Sequence, residues 1–148
     1  MSDDGSVLIS CVGYFASRPN KVFDAWLDTE MIAKFMFGPH LRENEEILSL
    51  EIDPTVGGTF LFSVMRDGRK INHVGEYFEI KRPLRLTFSW GIDHLQSDSR
   101  VTIEFIGLGS GTQLTLHHSI PQKWADLADR TKEGWTKIIN QLSEVIDQ

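Results

Sequence analysis

One cysteine, Cys11, in 148 residues excludes an intramolecular disulfide and any cysteine-based metal centre. Long hydrophobic runs are missing too. None approaches the roughly 18 residues of a membrane-spanning helix, so no membrane span is expected. Positive charge is scarce: 15 Lys and Arg stand against 21 Asp and Glu, a formal net charge of -6. The densest basic cluster, Arg66, Arg69 and Lys70 followed by Lys81, Arg82 and Arg85, is interrupted by acids. Nucleic-acid binders carry a continuous basic stripe, so nucleic acid is not an expected partner, and the acidity also argues against anionic membrane surfaces. The opening Met-Ser-Asp-Asp-Gly lacks the basic and apolar regions of a secretory signal, so a cytoplasmic, reducing setting is expected. There Cys11, in an alternating apolar run, reads as a buried, inert thiol. Metal-ligand spacing is lacking as well. His117 and His118 are adjacent and point to opposite faces of a strand, while His40, His73 and His94 have no companion, so neither metal nor cofactor is expected. No nucleophile elbow or phosphate-binding loop occurs.

What is present is an ordered pattern. From Pro121 to Gln148, Trp124, Leu127, Ala128, Thr131, Trp135, Ile138, Leu142, Val145 and Ile146 recur at three- and four-residue steps, which predicts one long amphipathic helix of about 26 residues. Upstream the period is two. Val7 to Phe15 predicts a first strand. Ser17 then caps, and Pro19 opens, a short helix with Val22, Phe23, Trp26 and Leu27 on its apolar face, and a second runs from Met31 to Met36,. Strands follow over Glu46–Ile52, Thr59–Arg66, His73–Lys81, Leu84–Trp90, Ser99–Leu108 and Thr112–Ile120, separated by Asp53-Pro54, Gly57-Gly58, Asp67-Gly68, Arg82-Pro83 and Gly109-Ser110-Gly111,. The longest polar interruption in this half is Gly91 to Asp98. The prediction is an α+β chain: one domain over residues 1–148, with 1–5 as a tail, in which a curved antiparallel sheet of about seven strands grips a C-terminal helix. Bulges at Gly57-Gly58 or Gly75 would help the sheet curve, and Gly134 would let the helix approach it.

Four stretches carry a family resemblance: Arg18 to Asp28 (RPNKVFDAWLD), Asp53 to Phe60 (DPTVGGTF), Gly75 to Ile80 (GEYFEI) with Pro83, and Gly134-Trp135. In that order the chain resembles the START-like, or SRPBCC, superfamily. Within it, the chain is similar to homologues of the C-terminal domain of the activator of heat-shock protein 90 ATPase. The resemblance implies the helix-grip fold of the birch-pollen allergen and a pocket between sheet and helix. It implies no shared catalytic motif. The sequence departs from the family pattern at Thr29, where proline is common, and at Phe35, where tryptophan is usual.

Alternation assigns faces. Leu84, Leu86, Phe88 and Trp90 share one; Val101, Ile103 and Phe105 another; Leu114, Leu116 and His118 a third; Val74, Glu76, Phe78 and Ile80 a fourth. If these face the helix, Glu76 and His118 are the polar groups of an apolar wall. A carboxylate there would be raised toward neutral pH and His118 could relay a proton, making the two the candidate catalytic residues; as ordinary satisfied polar groups, they are not. Phe35, Phe37, Phe60, Phe62, Glu76, Phe88, Trp90, His118, Trp124 and Trp135 are the candidate ligand-binding residues, the aromatic ones either lining a cavity or filling the core. The expected partner is a hydrophobic small molecule: lipid, aromatic or polyketide-like. The alternatives are a cyclase or dehydratase-like enzyme and a co-chaperone-like module acting on a chaperone ATPase. Either a monomer or a homodimer is compatible with the pattern.

Overall fold

The computed structural model describes residues 6–93 and 99–147. The expected tail at residues 1–5, His94, most of the polar interruption after Gly91, and Gln148 lie outside the described residues. In chain order the elements are β1 (Val7–Phe15), α1 (Pro19–Ala25), α2 (Thr29–Phe35), β2 (Glu45–Ile52), β3 (Thr59–Arg66), β4 (Arg69–Lys81), β5 (Arg85–Ser89), β6 (Gly91–Ile92), β7 (Arg100–Leu108), β8 (Gly111–Ile120), a 3-10 helix (Gln122–Leu127) and α3 (Ala128–Ile146). The strands form one antiparallel sheet in the order β1-β8-β7-β5-β4-β3-β2, with the two-residue β6 added beside β4. This is the expected helix-grip architecture, with one short strand more than the sequence pattern indicated.

The turns follow from local chemistry. Asp67 and Gly68 both have positive φ, 53° and 81°, so they make a two-residue hairpin of the type whose twist matches its strands, and Arg66 pairs with Arg69 across it. Pro19 sits in the first turn of α1, but Arg18, with no side-chain bond, is the N-cap. Ser17 is engaged elsewhere: its Oγ donates to Asp147 Oδ1 at 2.8 Å, and the same carboxylate accepts from the amides of Ala16 (2.9 Å) and Ser17 (3.1 Å). These bonds fasten the C-terminus of α3 to the turn after β1. At α2, the Asp28 carboxylate accepts from the Glu30 amide, so a side-chain cap takes the place of a proline start.

The inner face of the sheet carries Val101, Ile103 and Phe105 of β7 and Leu114 and Leu116 of β8, all at or near zero exposure. Against them α3 buries Trp135, Ile138, Ile139, Leu142 and Ile146. Each such side chain contributes on the order of 2 kcal/mol through removal from water. An ion cluster centres on the buried Glu45 carboxylate, with Arg42 and Arg66 half-buried around it. Glu45 accepts from the Gly38 amide at 2.7 Å, from Arg66 Nε at 2.8 Å and from Arg42 at 3.3 Å. Burial alone would raise the Glu45 carboxyl, but the Gly38 amide and the two guanidiniums hold it below the usual range,.

Three further expectations change in the structure. The C-terminal segment is not one continuous helix: Trp124 has φ -107° and ψ 17° inside the 3-10 segment, and regular α-helix starts only at Ala128. Leu84 is 58% exposed, because it lies in the turn before β5 rather than within the strand. Close approach of helix and sheet occurs at Gly13 of β1, where an added Cβ would lie 2.4 Å from Ile139, whereas one at Gly134 would meet nothing within 4 Å. Gly134 therefore carries the helix cost of glycine without a packing return. Gly134→Ala is expected to stabilise the protein by about 1 kcal/mol, read as a higher urea midpoint at unchanged slope.

Candidate functional site

Among the described residues, the sheet and the C-terminal segment leave a cavity at one end. Between Gln122 and Gly134 no side chain is fully buried, and the backbone is kinked at Trp124. The cavity beneath this segment is about 280 Å³, partly open to solvent past Ile92 and Leu127, and lined by Trp90, Gly91, Ile92, Ser99, His118, Ile120, Trp124, Leu127 and Thr131. Its walls are mainly apolar, and its buried polar side chains are Ser99 and His118, each 3% exposed. A larger groove of about 600 Å³, lined in part by Leu8, Phe78, Arg100 and His117, lies on the outer face of the sheet and stands open to solvent.

The polar groups of the cavity form a chain. Trp135 Nε1 donates to His118 Nδ1 at 2.9 Å, and His118 Nε2 bonds Ser99 Oγ. Burial lowers the His118 pKa to about 4, so the ring is neutral at neutral pH. A second buried histidine, His73, bonds the Phe62 carbonyl through Nδ1 at 3.2 Å, and burial lowers it to about 4 as well. Its ring stands between Phe37 and Trp90, with centroids at 4.8 and 5.4 Å.

The ten residues singled out from sequence separate into three groups. Trp90, His118 and Trp124 line the cavity, and Trp135 stands behind His118 as its hydrogen-bond donor. Phe35, Phe37, Phe60, Phe62 and Phe88 are at most 4% exposed and pack ring on ring; Phe60 alone lies within 6 Å of Phe62, Tyr77, Phe88 and Trp90. The void left among Trp26, Ile32, Met36, Phe60, Phe62, Tyr77, Phe88 and Trp90 is about 10 Å³, room for about one water. Glu76 is on the other side of the sheet. A bulge shifts the β4–β5 register between Tyr77 and Glu79. Before it, His73 and Tyr77 are the inward, buried residues, and Glu76 and Phe78 are exposed. The expected inward Val74, Glu76, Phe78 face is thus reversed.

Ser99, Ile120, Leu127 and Thr131 were not singled out as site residues. Ser99 lies two residues before Val101 and Ile120 two after His118, so strand parity carries both inward. Leu127 and Thr131 belong to the predicted helical stripe. Of the remaining histidines, His117 faces outward and bonds Ser10 Oγ at 2.9 Å, and His40 Nε2 donates to the Lys34 carbonyl at 2.7 Å. Cys11 is buried, its Sγ 3.7 Å from the Lys132 carbonyl. Among the described residues no three His, Cys, Asp or Glu side chains converge as a metal site would require, and no helix is long and apolar enough to cross a membrane.

Residues 16–147 match the family of Activator of Hsp90 ATPase homolog 1-like proteins. The chain belongs to that family. No curated protein matches it. Among solved structures it is similar to protein CV1439 from Chromobacterium violaceum, with TM-score 0.82 and 24% identity over 95% of this chain and 98% of the other. The AHSA1-like protein from Aeromonas hydrophila aligns with TM-score 0.76 and 18% identity over 93% and 90% of the two chains. DynU16, a protein of the dynemicin biosynthetic locus, aligns with TM-score 0.77 and 18% identity over 95% of this chain and 47% of its own. At these identities the shared property is the START-like helix-grip fold.

The two buried histidines have a measurable consequence. Both are held at about 4 in the folded protein, below the usual value near 6.5 that an unfolded chain has. Above pH 6.5 both states are neutral and folding gains fully. As pH falls from 6.5 toward 4 the unfolded chain takes up protons that the folded one refuses, and stability drops by up to about 3 kcal/mol per histidine. Urea unfolding at pH 7 and pH 5 should show this loss, with NMR showing both imidazoles still neutral in the folded protein at pH 5.5.

Proposed function

We propose that this family member binds a hydrophobic small molecule in the cavity between the kinked start of the C-terminal helix and the ends of β5 to β8. The observation that carries the reading is the contrast within one interior. Most of its aromatic side chains pack to near-zero void, while about 280 Å³ under Trp124 is apolar-walled. Interiors close on themselves unless something holds them apart, and a small concave apolar space with few polar groups is the usual form of a ligand site. A cavity of about 150 Å³ accommodates benzene, so this one suits about two fused rings. The neighbour from the dynemicin biosynthetic locus accords with small-molecule work on this fold. A free thiol at Cys11 accords with a reducing, cytoplasmic setting.

An acid–base enzyme finds less support, since Glu76 lies outside the cavity and both ring nitrogens of His118 are engaged. The co-chaperone alternative rests on the family description alone.

Two-ring aromatic compounds should raise the melting temperature in a concentration-dependent way, as any ligand selective for the folded state does. Leu127→Trp places a larger ring at the cavity mouth, where Leu127 is 44% exposed. That variant is expected to keep its unliganded melting temperature and lose the shift. A panel of lipids and aromatic compounds that moves no melting temperature would count against the reading.

A further inference from the structure

The hydrogen-bond chain at the cavity has a fixed direction, and the direction specifies the ligand. Indole Nε1 carries a hydrogen and has no lone pair to accept with. Trp135 therefore donates, and His118 Nδ1, 2.9 Å away, accepts. A neutral imidazole that accepts at Nδ1 carries its proton on Nε2, so His118 donates to Ser99 Oγ. Among the described residues Ser99 Oγ has no other hydrogen-bond partner. Its own hydroxyl hydrogen is left over, on a side chain 3% exposed that lines the cavity and also borders the groove on the outer face of the sheet.

Resting on the binding function proposed above, we infer that the cavity selects a neutral ring compound bearing a hydrogen-bond acceptor, a ketone or quinone-type carbonyl oxygen, and that Ser99 donates to it. Each donor in a chain polarises the next, so the terminal hydroxyl is a stronger donor than an isolated serine. The same direction excludes other ligands. An ammonium group would meet a donor in an apolar space, leaving a buried charge unpaired. A carboxylate would find no cation, since among the described residues no Lys or Arg lines the cavity. It also removes Ser99 as a nucleophile activated by His118, because the histidine lone pair that would take the serine proton is committed to Trp135.

The test uses a matched pair, 1-tetralone and tetralin, which differ by one carbonyl on the same two-ring frame. Binding to the full chain is measured by calorimetry or tryptophan quenching. The wild type is expected to prefer 1-tetralone about five- to tenfold, the worth of one net hydrogen bond. In Ser99→Ala that preference should vanish while tetralin binds as before, which also shows that the variant is folded. Equal affinity of the wild type for the two compounds, or a preference that survives in Ser99→Ala, overturns the assignment of the donor and leaves the binding function standing. Binding of neither compound overturns both.

Discussion

The structure depends on one buried contact, the Trp135 indole donating to His118 across the interface between α3 and β8. Either group alone would be a costly tenant of this interior. Together they satisfy each other, and a polar bond between helix and sheet then has a defined partner and distance, which apolar packing lacks. The bond sets the rotational position of α3 at the point where its tight packing begins. C-terminal to Trp135 the helix is sealed by Ile138, Ile139, Leu142 and Ile146 and fastened at its end by Asp147. N-terminal to it the chain lifts away through the kink at Trp124.

That division explains why one interior holds both a dense ring cluster and an open space. Where α1, α2 and β3 to β5 converge, the Phe and Trp rings meet at centroid spacings of about 5 to 6 Å and leave almost no void. Past Trp90 the sheet continues, but its helical cover is a 3-10 segment without a fully buried residue. The cavity is a consequence of the helix starting late, and Trp90 stands between the filled and the unfilled halves, 5.3 Å from Trp135. The polar chain lies at this boundary, so the bond that positions the helix also presents Ser99 to the space.

Much of the architecture was legible in the sequence. The period-two runs, the Asp67-Gly68 turn and the helical stripe from Trp124 to Ile146, α-helical from Ala128 onward, each reflect local physics, and the four motif stretches agreed on one family. His118 was legible as an inward polar residue because β8 alternates without interruption from Thr112 to Ile120. Glu76 was misplaced because a single bulge near Phe78 inverts the preceding face, and a bulge has no dependable sequence mark when the inward residues, His73, Gly75 and Tyr77, look no more apolar than the outward Val74 and Phe78. The Phe residues were equally suitable as wall or filling, since the choice depends on packing between distant elements. Gly134 suggested a close approach that Gly13 in fact supplies, a difference set by the three-dimensional crossing of helix and strand.

The direction of the buried chain from Trp135 through His118 to Ser99 is reported directly by the His118 tautomer. Long-range nitrogen–proton correlation NMR on uniformly labelled protein at neutral pH should find His118 neutral, with its proton on Nε2 and Nδ1 bare and accepting. A proton on Nδ1, or a charged ring, would contradict the account, because the indole would then face a donor and Ser99 would no longer be the free end of the chain.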